Sequence, residues 1–307
     1  MGIQIDAVPV EGDMLGECPV WDPLVQSLYW VDQLGQRVRR FTPATGAYQD
    51  WKLSEPIGCI GLAGESALVI ALTGSFCRLD LNTSECSLIA NVPQPRPAVR
   101  LSDGRCDRSG RLVAGSAVTD EGGADGAIYR LSASGNVEVL RRGMMIANAV
   151  CFNAAGDLMY YTDSRTGVVM VCDYDPRGAR VGVAREFADT RSHGIGPDGA
   201  SVDAEGGVWI AQIVTGQVLR FRADGSFDRC IKLPAPHISS VCFGGPDLDV
   251  LYVTTVRDTR MRIKTDHPEA GRLFAVTGLG VRGVVEGRFA MPGNGATGIH
   301  CEQDTGR

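Results

Sequence analysis

Residues 28–46 read LYWVDQLGQRVRRFTPATG: an apolar run, a polar turn, a second alternating run ending at Phe41, and a turn closed by Gly46. Alternation with period two and enrichment in Val, Tyr, Trp and Phe mark two short antiparallel strands. The phrase returns as ALVIALTGSFCRLDLNT from Ala67, as RLVAGSAVTDEGGADGAIYRLSASG from Arg111 and as LMYYTDSRTGVVMVCDYD from Leu158. It ends as VWIAQIVTGQVLRFRADG from Val208 and LYVTTVRDTRM from Leu251. Six copies at a spacing of about 40 to 50 residues fit propeller blades of four strands each. Helical solenoids are excluded by the period-two pattern and the Gly-rich turns. The expected fold is an all-β, six-bladed β-propeller with a central channel. It forms one domain over residues 1–307, with a polar tail from about residue 290. Ile3 to Val10 alternates enough to supply the last strand that closes the ring.

Glycine accounts for 39 of 307 residues, nearly twice the usual ~7%. Much of it lies in the turns of the repeat, as in TGS, TGV, TGQ, ADG and ASG. Gly16, Gly104 and Gly199 instead border candidate site residues, where glycine is expected to let backbone approach a ligand closely. The net charge of −6 provides no basic stripe for nucleic acid or an anionic membrane. Arg257 to Lys264, the longest basic cluster, is interrupted by Asp258 and reads as a solvated loop. No apolar run approaches a membrane span, and the acidic N-terminus lacks the form of a signal peptide, so the cytoplasm is expected. Ten cysteines without CxxC spacing read as small buried hydrophobes in a reducing compartment. A monomer or a weak homo-oligomer is expected.

In a propeller, equivalent positions of successive repeats sit at equivalent radius and height. Stepping back about ten residues from each repeat's apolar anchor reaches the approach to the innermost strand. The step lands on Glu17 in GECPVW, Ser102–Asp103 in VRLSDG, Asn148 in IANAVCF and Asp198 in GPDGASVD. In the remaining repeats it reaches Ser239–Ser240 and Gly58. Glu17, Asn148 and Asp198 therefore converge as oxygen donors from three blades. Two carboxylates and a carboxamide suit one hard divalent cation, Ca²⁺ first, with Mg²⁺, Mn²⁺ or Fe²⁺ as alternatives. Zn²⁺ fits less well without His or Cys. Any one of these residues alone reads as a turn residue; the shared phase makes the case.

The same residues carry a family resemblance. Glu17-x-Pro19-x-Trp21, Arg100-x-x-Asp103-Gly104, Pro197-Asp198-Gly199, LPAPHISSVCFGGPDLDVLYVTT and HPEAGRLFAV resemble the regucalcin/gluconolactonase family over about residues 11–289. The resemblance implies a six-bladed propeller with one metal in its channel, hydrolysing a sugar lactone to the aldonic acid in carbohydrate catabolism. It implies Glu17, Asn148 and Asp198 as metal ligands, Arg100 as a substrate contact, and an acidic contact at Asp120 or Glu121. Two positions depart from the family pattern: Ser102 replaces an Asn, and Ala149 follows Asn148 where Gly is usual. A hydroxyl in place of an amide allows a modified or non-sugar lactone as substrate.

The mechanism these residues permit is metal-assisted ester hydrolysis. Asp198 accepts a proton from the attacking water, and Arg100 orients the substrate with help from Ser102 and Asp120 or Glu121. Asp103, before Gly104, reads as a turn carboxylate. A non-enzymatic metal-binding scaffold is the competing class. GLGVRG at 278–283 and GNGATG at 293–298 lack a βαβ context and read as turns. His193 reads as a loop histidine, and the four tryptophans as packing between blades.

Overall fold

The computed structural model describes residues 2–175 and 180–291. Six antiparallel sheets of four strands each form the ring. The six innermost strands are Gly16–Asp22, Cys59–Ala63, Val99–Cys106, Ala147–Phe152, Pro197–Val202 and Ile238–Gly244, in blades 1 to 6 respectively. These strands are almost wholly buried, because each is covered by its own blade and by its neighbours around the axis. Outermost strands such as Ala47–Lys52 and Cys86–Asn91 face solvent. The only helical element described is a single 3₁₀ turn, Arg191–His193.

The first strand of the chain closes the ring. Gln4–Ala7 pairs antiparallel with Phe274–Thr277, completing blade 6 from the opposite end of the sequence. This is the role expected of Ile3 to Val10, and it gives blade 6 its fourth strand. Aromatic residues seal the joints between blades. Trp21 stacks on Tyr252 at 6.0 Å, joining blades 1 and 6, and Trp209 meets Phe243 edge-on at 5.7 Å, joining blades 5 and 6. Seven of the nine described cysteines are buried. Cys86 and Cys230 depart from the expectation: they lie exposed on the outer strands of blades 2 and 5. Cys301, His300, GNGATG and the polar tail beyond Met291 lie outside the described residues.

The inner strands are not regular. In five of the six a β-bulge interrupts the pairing near the start: Glu17/Val20, Leu101/Gly104, Asn148/Cys151, Pro197/Ala200 and Ile238/Ser240. Blade 2 alone pairs without a shift, and its strand begins just after Gly58. A bulge adds an unpaired residue and re-aims side chains. The five bulges fall where the repeat phase places the candidate site. Two of them hold a non-glycine residue in the left-handed region directly after a site residue: Cys18 at φ 46° and Ala149 at φ 57°.

Glycine occupies that conformation without a Cβ clash, whereas an L-residue loses about 1–2 kcal/mol there. Ala149→Gly is therefore expected to stabilise the protein by about 0.5–1 kcal/mol, after the entropy of glycine in the unfolded chain is subtracted. Equilibrium denaturation checks this, and a destabilised variant would contradict the strain assigned to Ala149.

Candidate functional site

Around the propeller axis, at the end where the inner strands begin, the bulges bring Glu17, Asp103, Asn148 and Asp198 together. All four are nearly inaccessible to solvent. Asn148 Nδ2 donates to Asp198 Oδ1 at 2.6 Å and to Ser164 Oγ at 2.9 Å, and Ser164 Oγ donates to the Pro197 carbonyl at 2.7 Å. This chain fixes the amide of blade 4 against the carboxylate of blade 5. A carboxylate oxygen of Glu17, one of Asp103 and Cys18 Sγ all lie within 4.8 Å of one another. Cys18 donates to Asp103 Oδ1 at 3.3 Å, while the backbone N–H of Val150 donates to Asp103 Oδ2 at 2.9 Å.

Asp103 is thus not a turn residue, as its place before Gly104 suggests. It stands in the bulge of blade 3 and ties that blade to blades 1 and 4. Blade 2, which bears no site side chain, contributes the Gly58 carbonyl. That oxygen accepts from Gln33 Nε2 at 3.0 Å and from Cys18 Sγ at 3.6 Å. Gln33 Oε1 in turn accepts from Arg100 Nη1 at 2.9 Å, so Gln33 holds the arginine at the site. Neither Gln33 nor Cys18 shares the repeat phase that marks the other site residues.

The cluster is electrostatically crowded. Burial, then the Asp103 carboxylate, pushes Glu17 up to about 8. Burial, then Glu17 and Asp103, pushes Asp198 well above the usual carboxylate range. Burial also raises Asp103, against the pull of Arg105. Arg105 lies deeper on the axis, donating to the carbonyls of Pro19, Ala200 and Val241 at 3.0, 2.9 and 3.3 Å. Those carbonyls come from blades 1, 5 and 6, so one guanidinium of blade 3 ties three other blades together across the axis. Burial lowers Arg100, and Glu17 partly offsets this. Ser240 Oγ, from blade 6, is buried without a partner among the described residues.

Glu17, Asp103, Asp198 and the Asn148 carboxamide offer buried hard oxygen donors, and Ser240 Oγ lies buried beside Gly199. That composition fits a divalent cation. Burial, and then the neighbouring carboxylates, hold the Cys18 thiol well above its usual range.

Other candidates lie elsewhere. Ser102 is buried in the blade 3 bulge, two residues from Arg100. Asp120 and Glu121 stand on the rim, in the loop after Leu112–Val118: Asp120 pairs with Arg96, and Glu121 pairs with Arg262 at 3.0 Å. Neither hydrogen-bonds to Arg100 or to the acid cluster among the described residues. His193 stacks on Phe227 of the outer strand of blade 5 at 4.4 Å, away from the axis. The close approaches at Gly104 and Gly199 are to protein rather than to a ligand. A Cβ at Gly199 would overlap Ser240 Oγ, and one at Gly104 would overlap Val113 O and Cys59 Sγ.

A family model described as the SMP-30/Gluconolactonase/LRE-like region matches residues 15–257. The chain belongs to that family. A 6-deoxy-6-sulfogluconolactonase of Pseudomonas putida is 33% identical over 293 residues, covering 94% of this chain and 100% of its own. A regucalcin of Xenopus laevis is 31% identical, covering 94% and 99%. The crystal structure of a regucalcin from Agrobacterium tumefaciens, described as a calcium-binding protein, superposes with a TM-score of 0.86 at 27% identity. It covers 93% of this chain and 97% of its own.

The crowded acids carry a measurable signature. Glu17 binds its proton more tightly in the folded protein than in the unfolded chain. Without a cation its contribution to stability is therefore greatest below its ordinary value of 4.5 and is lost as pH rises toward about 8. In chelator, Glu17→Gln is expected to flatten part of the fall in Tm between about pH 5 and about pH 8, and a divalent cation to raise the wild-type Tm most at the upper end. A cation-induced shift in Tm independent of pH would contradict this.

Proposed function

We propose that this protein hydrolyses a sugar lactone to the corresponding aldonic acid, using one divalent cation held by Glu17, Asn148 and Asp198, in carbohydrate catabolism. The observation that carries the reading is the convergence of buried acids and one carboxamide from separate blades around the propeller axis. A scaffold gains nothing from burying like charges, which lowers stability. Membership of a family whose relatives include a sulfogluconolactonase supports lactone chemistry. Ca²⁺ is favoured by the hard donor set and by the Agrobacterium relative's description as calcium-binding.

When bound, the cation supplies Lewis-acid polarisation of the ester carbonyl and offsets the negative charge that develops on its oxygen. The rest falls to side chains. Asp198, its Oδ1 fixed by Asn148, takes a proton from the attacking water. Asn148, itself fixed by Ser164, keeps that carboxylate in one orientation. Arg100, steadied by Gln33, directs its remaining N–H groups at the substrate's ring or hydroxyl oxygens. Ser102 presents a short hydroxyl beside it, which leaves more room than an asparagine would. Asp120 and Glu121, each paired with an arginine, stand at the rim rather than at the reacting carbonyl.

A panel of 1,4- and 1,5-lactones, assayed with each divalent cation and with chelator, tests the proposal. Turnover of at least one sugar lactone is expected, abolished by chelator, with Asp198→Asn lowering kcat by about 10²–10⁴. No hydrolysis of any lactone with any of the cations would sink the reading, and full activity in Asp198→Asn would remove that residue's role.

A further inference from the structure

The basic stretch Arg257–Lys264 is not a detached solvated loop. It opens the connection between strands Val250–Thr255 and Phe274–Thr277 of blade 6. That connection leaves the same end of the propeller at which the inner strands begin. It is rooted beside the acid cluster: Arg257 and Asp258 donate their backbone N–H groups to the Met14 carbonyl at 2.9 and 3.0 Å, three residues before Glu17. From there Arg262 reaches Glu121 at 3.0 Å. Glu121 belongs to blade 3, and in a ring of six blades, blades 3 and 6 face each other. The ion pair therefore spans the mouth of the channel.

The two sides of this bridge differ in firmness. Arg96 braces the blade 3 loop through Asp120 and through Asp125 at 2.7 Å, so the loop holds Glu121 outward. Glu121 itself is 91% exposed and Arg262 is 48% exposed, and solvent screens an exposed pair of this kind so that it contributes little. Arg260, beside Met14 Sδ at 3.8 Å, has no carboxylate partner among the described residues. A carboxylate held loosely on Arg262, next to an uncommitted arginine, is readily exchanged for another anion. The acids deeper in the channel repel a free anion, so this cationic rim is where a negatively charged substituent gains most.

We propose that Arg262, assisted by Arg260, binds an anionic substituent (carboxylate, phosphate or sulfonate) at the end of the substrate remote from the lactone carbonyl, displacing Glu121. The proposal rests on the lactonase reading for the other end of the substrate. Asp120 and Glu121, adjacent in sequence, then have separate tasks: Asp120 braces the loop and Glu121 occupies the anion site until substrate enters. Charge-assisted, forked donation to a compact anion is the chemistry in which arginine exceeds lysine.

The test compares glucono-1,5-lactone with 6-phosphoglucono-1,5-lactone as substrates. The ratio of kcat/KM for the phosphorylated over the neutral lactone is expected to fall at least tenfold in Arg262→Ala and to rise in Glu121→Gln through a lower KM. An unchanged ratio in Arg262→Ala overturns the proposal, whether or not total activity drops. Calorimetric binding of glucitol 6-phosphate and glucitol reads the same site without hydrolysis. A wild-type preference for the phosphate that Arg262→Ala removes supports the anion site even if no lactone is turned over. The absence of that preference overturns it, so loss of the lactonase reading and loss of this one give different results.

Discussion

Glu17, Asp103 and Asp198 are held together in a space from which water is largely excluded, and that crowding is the constraint to which the channel is built. Two unit charges at 4.8 Å repel by about 3 kcal/mol at the effective dielectric typical of proteins. Without a cation, burial and repulsion keep protons on Glu17 and Asp198 well above the pH at which free carboxylates lose them. Around this cost the rest of the channel is arranged. Bulges in five inner strands aim the polar groups inward, backbone and side-chain donors fix Asp103 and Asp198, and Arg105 holds positive charge beneath. A compact divalent cation is the simplest species that turns such a set from a liability into a rigid, charged surface.

The fold was legible because a propeller converts sequence period into space. Six similar phrases at similar spacing have few other ways to bury their apolar faces, and the alternating N-terminal strand had an open blade edge to fill. The same conversion made Glu17, Asn148 and Asp198 legible as a group. The motifs around Glu17 and Asp198 are short, but equal phase in different repeats means equal height on the propeller axis.

What escaped the sequence depends on geometry that phase does not encode. An Asp before a Gly is a turn in most chains, and only the bulge at Leu101/Gly104 places Asp103 inside the channel. Gly104 and Gly199 looked like accommodations to a ligand, yet they exist because neighbouring strands pass too close for a Cβ. Gln33 and Cys18 support the site from positions that no repeat marks. The separation of Asp120 from Glu121, and the reach of Arg257–Lys264 over the channel mouth, depend on long-range ion pairs between opposite blades. The acids thus gather about the axis, while Arg260 and Arg262 stand on the connection rooted at Met14.

We propose the acid cluster as the seat of one divalent cation. Diffraction from crystals grown with Mn²⁺, recorded at the manganese absorption edge, locates the ion. A single anomalous peak is expected on the propeller axis, within coordination distance of Glu17, Asn148 and Asp198 and above Arg105. An ordered channel with no peak there, or a peak on the rim with the acids still paired through protons, would contradict it.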